Sequence, residues 1–554
     1  MSAMTDELRR RAEQWLAEDP DPETRAELRA LLDAQDRAAL AERFGGRLEF
    51  GTAGLRGPLG AGPARMNRAV VRRTAAGLAA YLRAAAATGP VLIGYDARHK
   101  SADFAADSAA VLAGAGFDVR VLPRPLPTPV LAFAVRRLRG CAGVMVTASH
   151  NPPQDNGYKV YLGGSVAPGG AAGDGAQIVP PADLAIEAAI EAVGPLSGVP
   201  LSDGWTTLGE DLLESYLDSV AAVPRTPHRE LSVASTALHG VGGAVLAAAF
   251  RRAGFAEPAA VSEQAVPDPD FPTVSFPNPE EPGATDLLLE LAIRIGADIA
   301  IANDPDADRC AVVCCPQPAG GGARLLRGDE VGVLLADHLM RSGVRGSYVT
   351  TVVSSSMLGA MCAARGLGYA ETLTGFKWIV RGAPDLVFGY EEALGYAAAP
   401  DLVRDKDGIS AALLVADLAA SLRASGRTLL DRLDELAREF GLHATEQLSV
   451  RVDDPAEIAA AMARLRAATP ATLLGTPVST VDDLLPDSDV LIVRADGCRV
   501  VVRPSGTEPK LKAYLEVVVP VRPSSDTPTV DAARKVAAER LAALRAETAS
   551  ALGL

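Results

Sequence analysis

Long apolar runs are missing from this chain. No stretch of its 554 residues is an uncharged segment long enough to span a bilayer, and the opening Met-Ser-Ala-Met-Thr-Asp-Glu-Leu-Arg-Arg has no apolar core of the kind a secretion signal needs. A membrane partner is therefore not expected, and the chain reads as cytoplasmic. Cysteine is scarce: Cys141, Cys310, Cys314, Cys315, Cys362 and Cys498 are scattered, and the adjacent pair Cys314 and Cys315 lacks metal-ligand spacing. These read as reduced thiols. Positive charge is in deficit, with 54 Lys and Arg against 69 Asp and Glu, a net charge of −15. That repels polyanions and sets nucleic acid aside as a partner. No long window is dominated by one polar residue type, and 48% apolar with 22% charged residues is ordinary globular usage, so a disordered chain is excluded too.

What is present begins with length: the chain is too long for one hydrophobic core, so several domains are expected. Leu8, Ala12, Trp15 and Leu16, then Leu28, Leu31 and Leu32, have helical spacing and predict two helices before about residue 45. From Val70 onward strands and helices alternate. Strands are expected at Pro90 to Tyr95, Val119 to Leu122, Val144 to Thr147, Leu231 to Ser235, Ile299 to Ala302 and Tyr348 to Val353, with helices at Phe104 to Gly116 and Val331 to Met340. Such alternation predicts parallel, doubly wound sheets with ligand loops at their carboxyl ends. The last portion mixes strands at Gln447 to Val452, Val490 to Arg494 and Arg499 to Arg503 with helices. The expected fold class is α/β: three doubly wound α/β domains plus a C-terminal α+β domain around a central cleft, divided at 1–212, 213–326, 327–444 and 445–554.

Local cations sit in turns rather than on helix faces: Arg56, Arg98, Arg309, Lys406 and Arg503 all lie among Gly, Pro or Asp, as a small anionic ligand would require. Val146-Thr147-Ala148-Ser149-His150-Asn151-Pro152 puts a serine on a tight turn after a strand, with His150 beside it and Lys159 ten residues on. Ser149 is a candidate nucleophile, although the Gly-x-Ser-x-Gly elbow of a hydrolase is absent. The plainer reading is that it caps a following helix. Asp304-Pro305-Asp306-Ala307-Asp308-Arg309 places carboxylates at i, i+2 and i+4 after a buried strand. Three oxygens on one side of an extended loop suit a hard cation such as Mg²⁺, and the Gly and distal Glu of an EF-hand are missing. Arg503-Pro504-Ser505-Gly506-Thr507 and Phe50-Gly51-Thr52-Ala53-Gly54-Leu55-Arg56 each deliver an arginine from a Gly-containing turn suited to phosphate.

Together these motifs resemble the α-D-phosphohexomutase superfamily, in order from about Phe50 to Leu515. Tyr390-Glu391-Glu392-Ala393-Leu394-Gly395 resembles its sugar loop, with Ala393 where a serine is usual. Ala393, the N-terminal helices, Thr374-Gly375-Phe376-Lys377-Trp378 and Asp405-Lys406-Asp407-Gly408 resemble the branch of phosphopentomutases and glucose bisphosphate synthases. Tyr95-Asp96-Ala97-Arg98, Pro127-Thr128-Pro129 and His239-Gly240-Val241-Gly242 look like supports of the site.

The resemblance implies an intramolecular phosphotransferase in which phosphorylated Ser149 lends its phosphoryl group, forms a sugar bisphosphate and recovers the other phosphate. One Mg²⁺ per chain would be held by Asp304, Asp306, Asp308 and a Ser149 phosphate oxygen, and sugar bisphosphate would serve as activator. Arg56 and Arg309 would flank the transferring group. Lys159, Lys406 and His150 are the candidate acids and bases, the lysines with pKa values lowered by neighbouring cations. Glu391, Glu392 and Lys377 would bind the substrate, Glu391 at the ring hydroxyls, and Arg503, Ser505, Gly506 and Thr507 would hold the resting phosphate. The substrate is expected to be a phosphosugar, glucose or pentose before mannose, and the protein a monomer or homodimer. A bisphosphate synthase, a phosphatase and a non-catalytic sugar-phosphate-binding protein are the alternatives.

Overall fold

The computed structural model describes residues 2–51, 54–315, 322–452, 454–505, 510–522 and 527–553. It opens on three helices, Ser2–Glu18, Pro22–Asp33 and Arg37–Phe44, where apolar spacing predicted two. Asp36 explains the extra one: its side chain caps the Ala39 amide at 3.0 Å and starts a helix too short to show a repeat of its own. The three pack around Ala12, Leu28, Leu40 and Phe44. They are fastened to the main body where Glu27 accepts from the Ala61 amide at 2.9 Å and where Lys100 meets Glu23 at 2.7 Å.

Four sheets follow. The first runs in the order Leu55–Pro58, Asp155–Leu162, Ala142–Val146, Val91–Tyr95, Val119–Val121 and Thr206–Thr207, with Ala176–Gln177 against Asp155–Leu162. The second is Arg324–Leu325, Ala311–Cys314, Ile299–Ala302, Val233–Thr236 and Ala259–Ala260, and the third Gly368–Thr372, Ser347–Thr351, Leu386–Glu391 and Gly395–Ala397. The predicted elements reappear with ends moved by a few residues, as in helix Ser101–Gly114 and strand Val233–Thr236.

Each of these sheets has a parallel centre, as the alternation predicts, but each also has an antiparallel flank. The reason is loop length. Residues 147–154, 303–310 and 392–394 are too few for a crossover helix, so the chain folds straight back beside the strand it has left. All three carry a motif identified above, and a fourth hairpin, between Cys498–Pro504 and Lys510–Val519 of the last sheet, carries Ser505. That sheet is wholly antiparallel, in the order Leu442–Arg451, Lys510–Val519, Cys498–Pro504, Leu491–Ala495, Thr476–Asp483 and Thr472–Leu473, and packs against helices Pro455–Ala467 and Thr527–Leu552.

One apolar core joins elements of the first three sheets, from Leu92 and Tyr216 through Phe250 and Ile301 to Tyr390 and Leu414. The last sheet has its own core around Met462, Val493, Val502 and Leu544. All six cysteines are buried and unpaired. Among the described residues no helix is long and apolar enough to cross a membrane.

Candidate active site

The buried strand Ala142–Val146 ends beneath Ser149, which is itself buried and has φ +51°. No helix follows, so helix capping is not its role; the chain instead turns back into Asp155–Leu162. The left-handed turn costs about 1–3 kcal/mol in a non-glycine residue and persists because its surroundings fix it. Arg98 does much of that fixing. Its guanidinium donates to the carbonyls of Ser149 (2.6 Å), Asn151 (2.5 Å) and Pro152 (2.8 Å), while Phe271 covers its face with the ring centroid 4.9 Å away. Held so, Ser149 Oγ donates to Asp304 Oδ2 at 2.7 Å and lies 3.2 Å from His150 Nδ1.

Asp304, Asp306 and Asp308 are fully buried, and one carboxylate oxygen from each lies within 4.8 Å of the other two. Ala307, at φ +53°, bends the loop so that its acids converge. The bend is braced from within the loop and from outside it. Asn303 Nδ2 donates to the Arg309 carbonyl at 2.7 Å, Thr128 Oγ1 to Asp306 Oδ2 at 2.6 Å, and Gly240 lies so close that a Cβ there would sit 2.3 Å from Pro305 Cα. Lys159 Nζ donates to Asp306 at 2.7 Å and Asp308 at 2.9 Å, and Lys406 Nζ lies 3.3 Å from Asp308. Asp306 Oδ1 and Asp308 Oδ1 nevertheless remain buried without a hydrogen-bond partner. Orphaned hard oxygens on converging carboxylates fit a small divalent cation.

Charge is divided unevenly among these groups. Burial and the charges of Asp306 and Asp308 push the Asp304 carboxyl well above its usual range. Burial also opposes ionisation of Asp306, but Lys159 and Thr128 outweigh it and hold that carboxyl low. The expected lowering of the lysines is reversed. Burial does act that way on Lys159 and Lys406, but Asp306 and Asp308 beside the first, and Asp308 and Asp405 beside the second, keep both ammonium groups charged. Their neighbours are chiefly carboxylates, a fact hidden in sequence because Lys159 and Lys406 are far from the aspartates along the chain. His150 is the opposite case: burial, then Arg309 and Arg56, hold its imidazole well below its usual value and therefore neutral at pH 7.

Arg56 reaches the site from strand Leu55–Pro58, its Nη1 3.2 Å from Asn151 Oδ1. Arg309 Nη1 donates to the Ala393 carbonyl at 2.9 Å, joining the acidic loop to the third domain's hairpin. Ala393 thus contributes a backbone oxygen where a serine would add a hydroxyl. Leu394 beside it takes φ +62°. Glu391 ends strand Leu386–Glu391, its carboxyl raised by burial against the pull of Lys406 and Arg309. Glu392 accepts from Ser354 Oγ at 3.3 Å, and burial followed by Glu391 brings it to about 7. Lys377, lowered by burial to about 8, feels the charge of Arg503 across the domain boundary. Arg503 Nη1 donates to the Tyr514 hydroxyl at 3.3 Å, and the Ser505 amide to the Lys510 carbonyl at 2.8 Å. Gly506 and Thr507 lie outside the described residues.

Ser149, His150, Arg56, Lys159, Asp304, Asp306, Asp308, Arg309 and Lys406 therefore form one connected cluster, with Glu391 and Glu392 adjoining it and Lys377 beyond, within reach of the charge of Arg503. Sequence reasoning missed Tyr161 and Gln177, which donate to Asp405 at 2.7 Å each beside Lys406, and Tyr514. It also missed the segment 266–283, which brings Phe271 to Arg98 and Glu280 to within 3.7 Å of Arg309. The proline-flanked Asn278-Pro279-Glu280-Glu281-Pro282 was the available signal.

The chain matches all four domains of phosphoglucomutase/phosphomannomutase: α/β/α domain I over residues 47–194, domain II over 214–316, domain III over 327–440 and the C-terminal domain over 448–530. A Haemophilus influenzae protein named "Probable phosphomannomutase" is 45% identical over 459 residues, covering 81% of this chain and 93% of its own. A Mus musculus phosphopentomutase is 35% identical over 574 residues, covering 92% and 90%. Among solved structures, a "putative phosphomannomutase" from Thermus thermophilus superposes with a TM-score of 0.68 at 28% identity, over 89% of this chain and 99% of the other.

Proposed function

Because this chain belongs to the phosphoglucomutase/phosphomannomutase family and is a phosphosugar mutase, we propose that it moves phosphate between the 1-position and the terminal hydroxyl of glucose or pentose phosphates, in the cytoplasm, through phosphorylated Ser149 and a sugar bisphosphate. The observation that carries this reading is the 2.7 Å hydrogen bond from Ser149 Oγ to Asp304, at the edge of three buried carboxylates.

Phosphoryl transfer spreads charge over equatorial oxygens, so the site's main tasks are positioning and compensation. The P–O bond at Ser149 Oγ breaks as a new one forms to the sugar's free hydroxyl, whose proton passes to a nearby base. The second transfer reverses these roles at the other end of the sugar. Asp304, Asp306 and Asp308, with a phosphate oxygen on Ser149, would hold Mg²⁺, which when bound would supply Lewis-acid charge to the transferring group. Arg56 and Arg309 flank that group. Neutral His150 is the member of the acid–base set able to accept a proton at pH 7, whereas Lys159 and Lys406, held charged, act as donors and as fixed positive charge. Glu391 and Glu392 receive sugar hydroxyls. Lys377, Arg503 and Ser505, with Gly506 and Thr507, hold the phosphate that is not reacting.

The test is a coupled turnover assay with Mg²⁺ and a trace of sugar bisphosphate, run on glucose 1-phosphate, ribose 1-phosphate, mannose 1-phosphate and glucosamine 1-phosphate. A preference for glucose or ribose is expected. Preference for mannose would transfer the assignment to that sugar. Absence of turnover on all four, with phosphate on Ser149 by mass spectrometry, would favour bisphosphate synthesis instead.

A further inference from the structure

Segment 266–283 joins strand Ala259–Ala260 to helix Asp286–Ile295 and has no regular structure. It is nevertheless well anchored. Asp270 lies 2.7 Å from His99 Nε2, Phe271 covers Arg98, and the Asp268 amide donates at 3.0 Å to the carbonyl of His239, just ahead of Gly240. Its prolines limit the backbone, and the Asn278 side chain, accepting at 3.2 Å from a backbone amide, holds the residue two positions on. That residue is Glu280.

Glu280 Oε2 lies 3.7 Å from Arg309 Nη1, and among the described residues its carboxylate meets no other cation within 4 Å and makes no hydrogen bond. Its side chain retains 41% of its exposure, while the protein around the carboxyl raises it above its ordinary value through burial. Charged groups from two further domains are close enough to act on it: Glu391 from the sugar-facing hairpin and Lys512 from the C-terminal sheet. A carboxylate with no hydrogen-bond partner among the described residues, within reach of the charge of a second carboxylate from another domain, is suited to accept hydroxyl hydrogens from a polyol bound beside it.

We infer that Glu280 is a specificity-determining residue that accepts a hydroxyl of the bound sugar, serving from the second domain where Ala393 brings no side-chain oxygen from the third. This rests on the phosphosugar mutase reading. The arrangement explains why so irregular a segment is pinned at both Arg98 and Arg309: the acceptor must keep its place relative to the phosphoryl-transfer site.

Glu280→Gln tests it, since the amide keeps the size of a half-exposed side chain and loses one acceptor and the charge. With sugar 1-phosphates as substrates, KM for the best sugar is expected to rise by roughly tenfold, with kcat within about twofold of the parent. The preference between glucose and mannose 1-phosphates should narrow. Glu280→Asp should recover part of the selectivity. An equal fall in kcat on every sugar at unchanged KM would overturn the inference, because Glu280 would then act only by steering Arg309. Calorimetric binding of glucose 1-phosphate and inorganic phosphate separates this inference from the parent reading. Loss of glucose 1-phosphate affinity with phosphate affinity retained supports Glu280 as a sugar ligand even if the unaltered protein turns over none of the sugars, and equal affinities in parent and variant refute it.

Discussion

Several residues at this centre are held where they would not rest alone. Ser149 and Ala307 are both left-handed, and both turns are tied by side-chain bonds: Arg98, from another segment, onto the Ser149 carbonyl, and Asn303, from within the same loop as Ala307, onto that of Arg309. The serine hydroxyl itself contributes little to this scaffold. Ser149→Ala removes one hydrogen bond to Asp304, a loss of about 1 kcal/mol, yet it removes the phosphoryl carrier. The variant is expected to melt within a few degrees of the parent while transferring no phosphate, and retained turnover would refute the mechanism. The charges of Lys159 and Lys406 show what primary structure conceals. Both residues stand out as cations in polar turns, but whether a lysine gains or loses its proton depends on groups that only the fold brings together.

At the scale of elements, the same device recurs: a strand ends, a short loop carries the chemistry, and the chain returns antiparallel. Loops 147–154, 303–310, 392–394 and the hairpin after Pro504 are all built so. Tight hairpins tolerate little displacement, which makes their packing partners sensitive points. Gly240→Ala would force a Cβ against Pro305, since the available gap is 2.3 Å. The predicted result is Mg²⁺ affinity weakened by about tenfold in a calorimetric titration, with a stability loss of about 1–3 kcal/mol; unaltered affinity would show that the loop yields. The motifs in these hairpins were readable because their residue types cluster along the chain: three aspartates at alternate positions, a serine between strand and proline. The parallel strands were readable from apolar runs. Segment 266–283 was not, because neither period marks an irregular stretch and Glu280 matters only through Arg309, Glu391 and Lys512, which lie elsewhere in the sequence. The short third helix escaped for a related reason, having too few turns to display a repeat.

The molecule as a whole divides unevenly: the first three sheets share a core, and the last is attached to them by polar bonds as much as by apolar contact. Glu516 accepts from Ser355 Oγ at 2.9 Å, the Ser356 amide at 2.8 Å and Arg499 Nη2 at 2.9 Å, while Asp329 accepts from the Ser355 amide at 2.7 Å and Thr445 Oγ1 at 3.0 Å. Burial raises Asp329 to about 6, with Glu516 adding to the effect against the Ser355 and Thr445 bonds. A carboxyl whose folded pKa lies above its unfolded one destabilises the fold when ionised, so this penalty is present above about pH 6 and is relieved as pH falls toward 4. Asp329→Asn should therefore be more stable than the parent at pH 7.5, by up to about 3 kcal/mol less whatever the bonds return, and the difference should shrink by pH 5. Chemical denaturation at the two pH values checks this, and a constant difference would refute it. Ser149 carries a last consequence. Its hydroxyl donates to Asp304, so loading it with phosphate exchanges a donor for added negative charge beside three acids. The loaded form should then grip a divalent ion more tightly than the bare form, and by reciprocity the ion should favour retention of the phosphate. Two batches of identical sequence, one stored with magnesium and one with a chelator, would thus start the same assay as unequal enzymes, differing in what they remember of their storage.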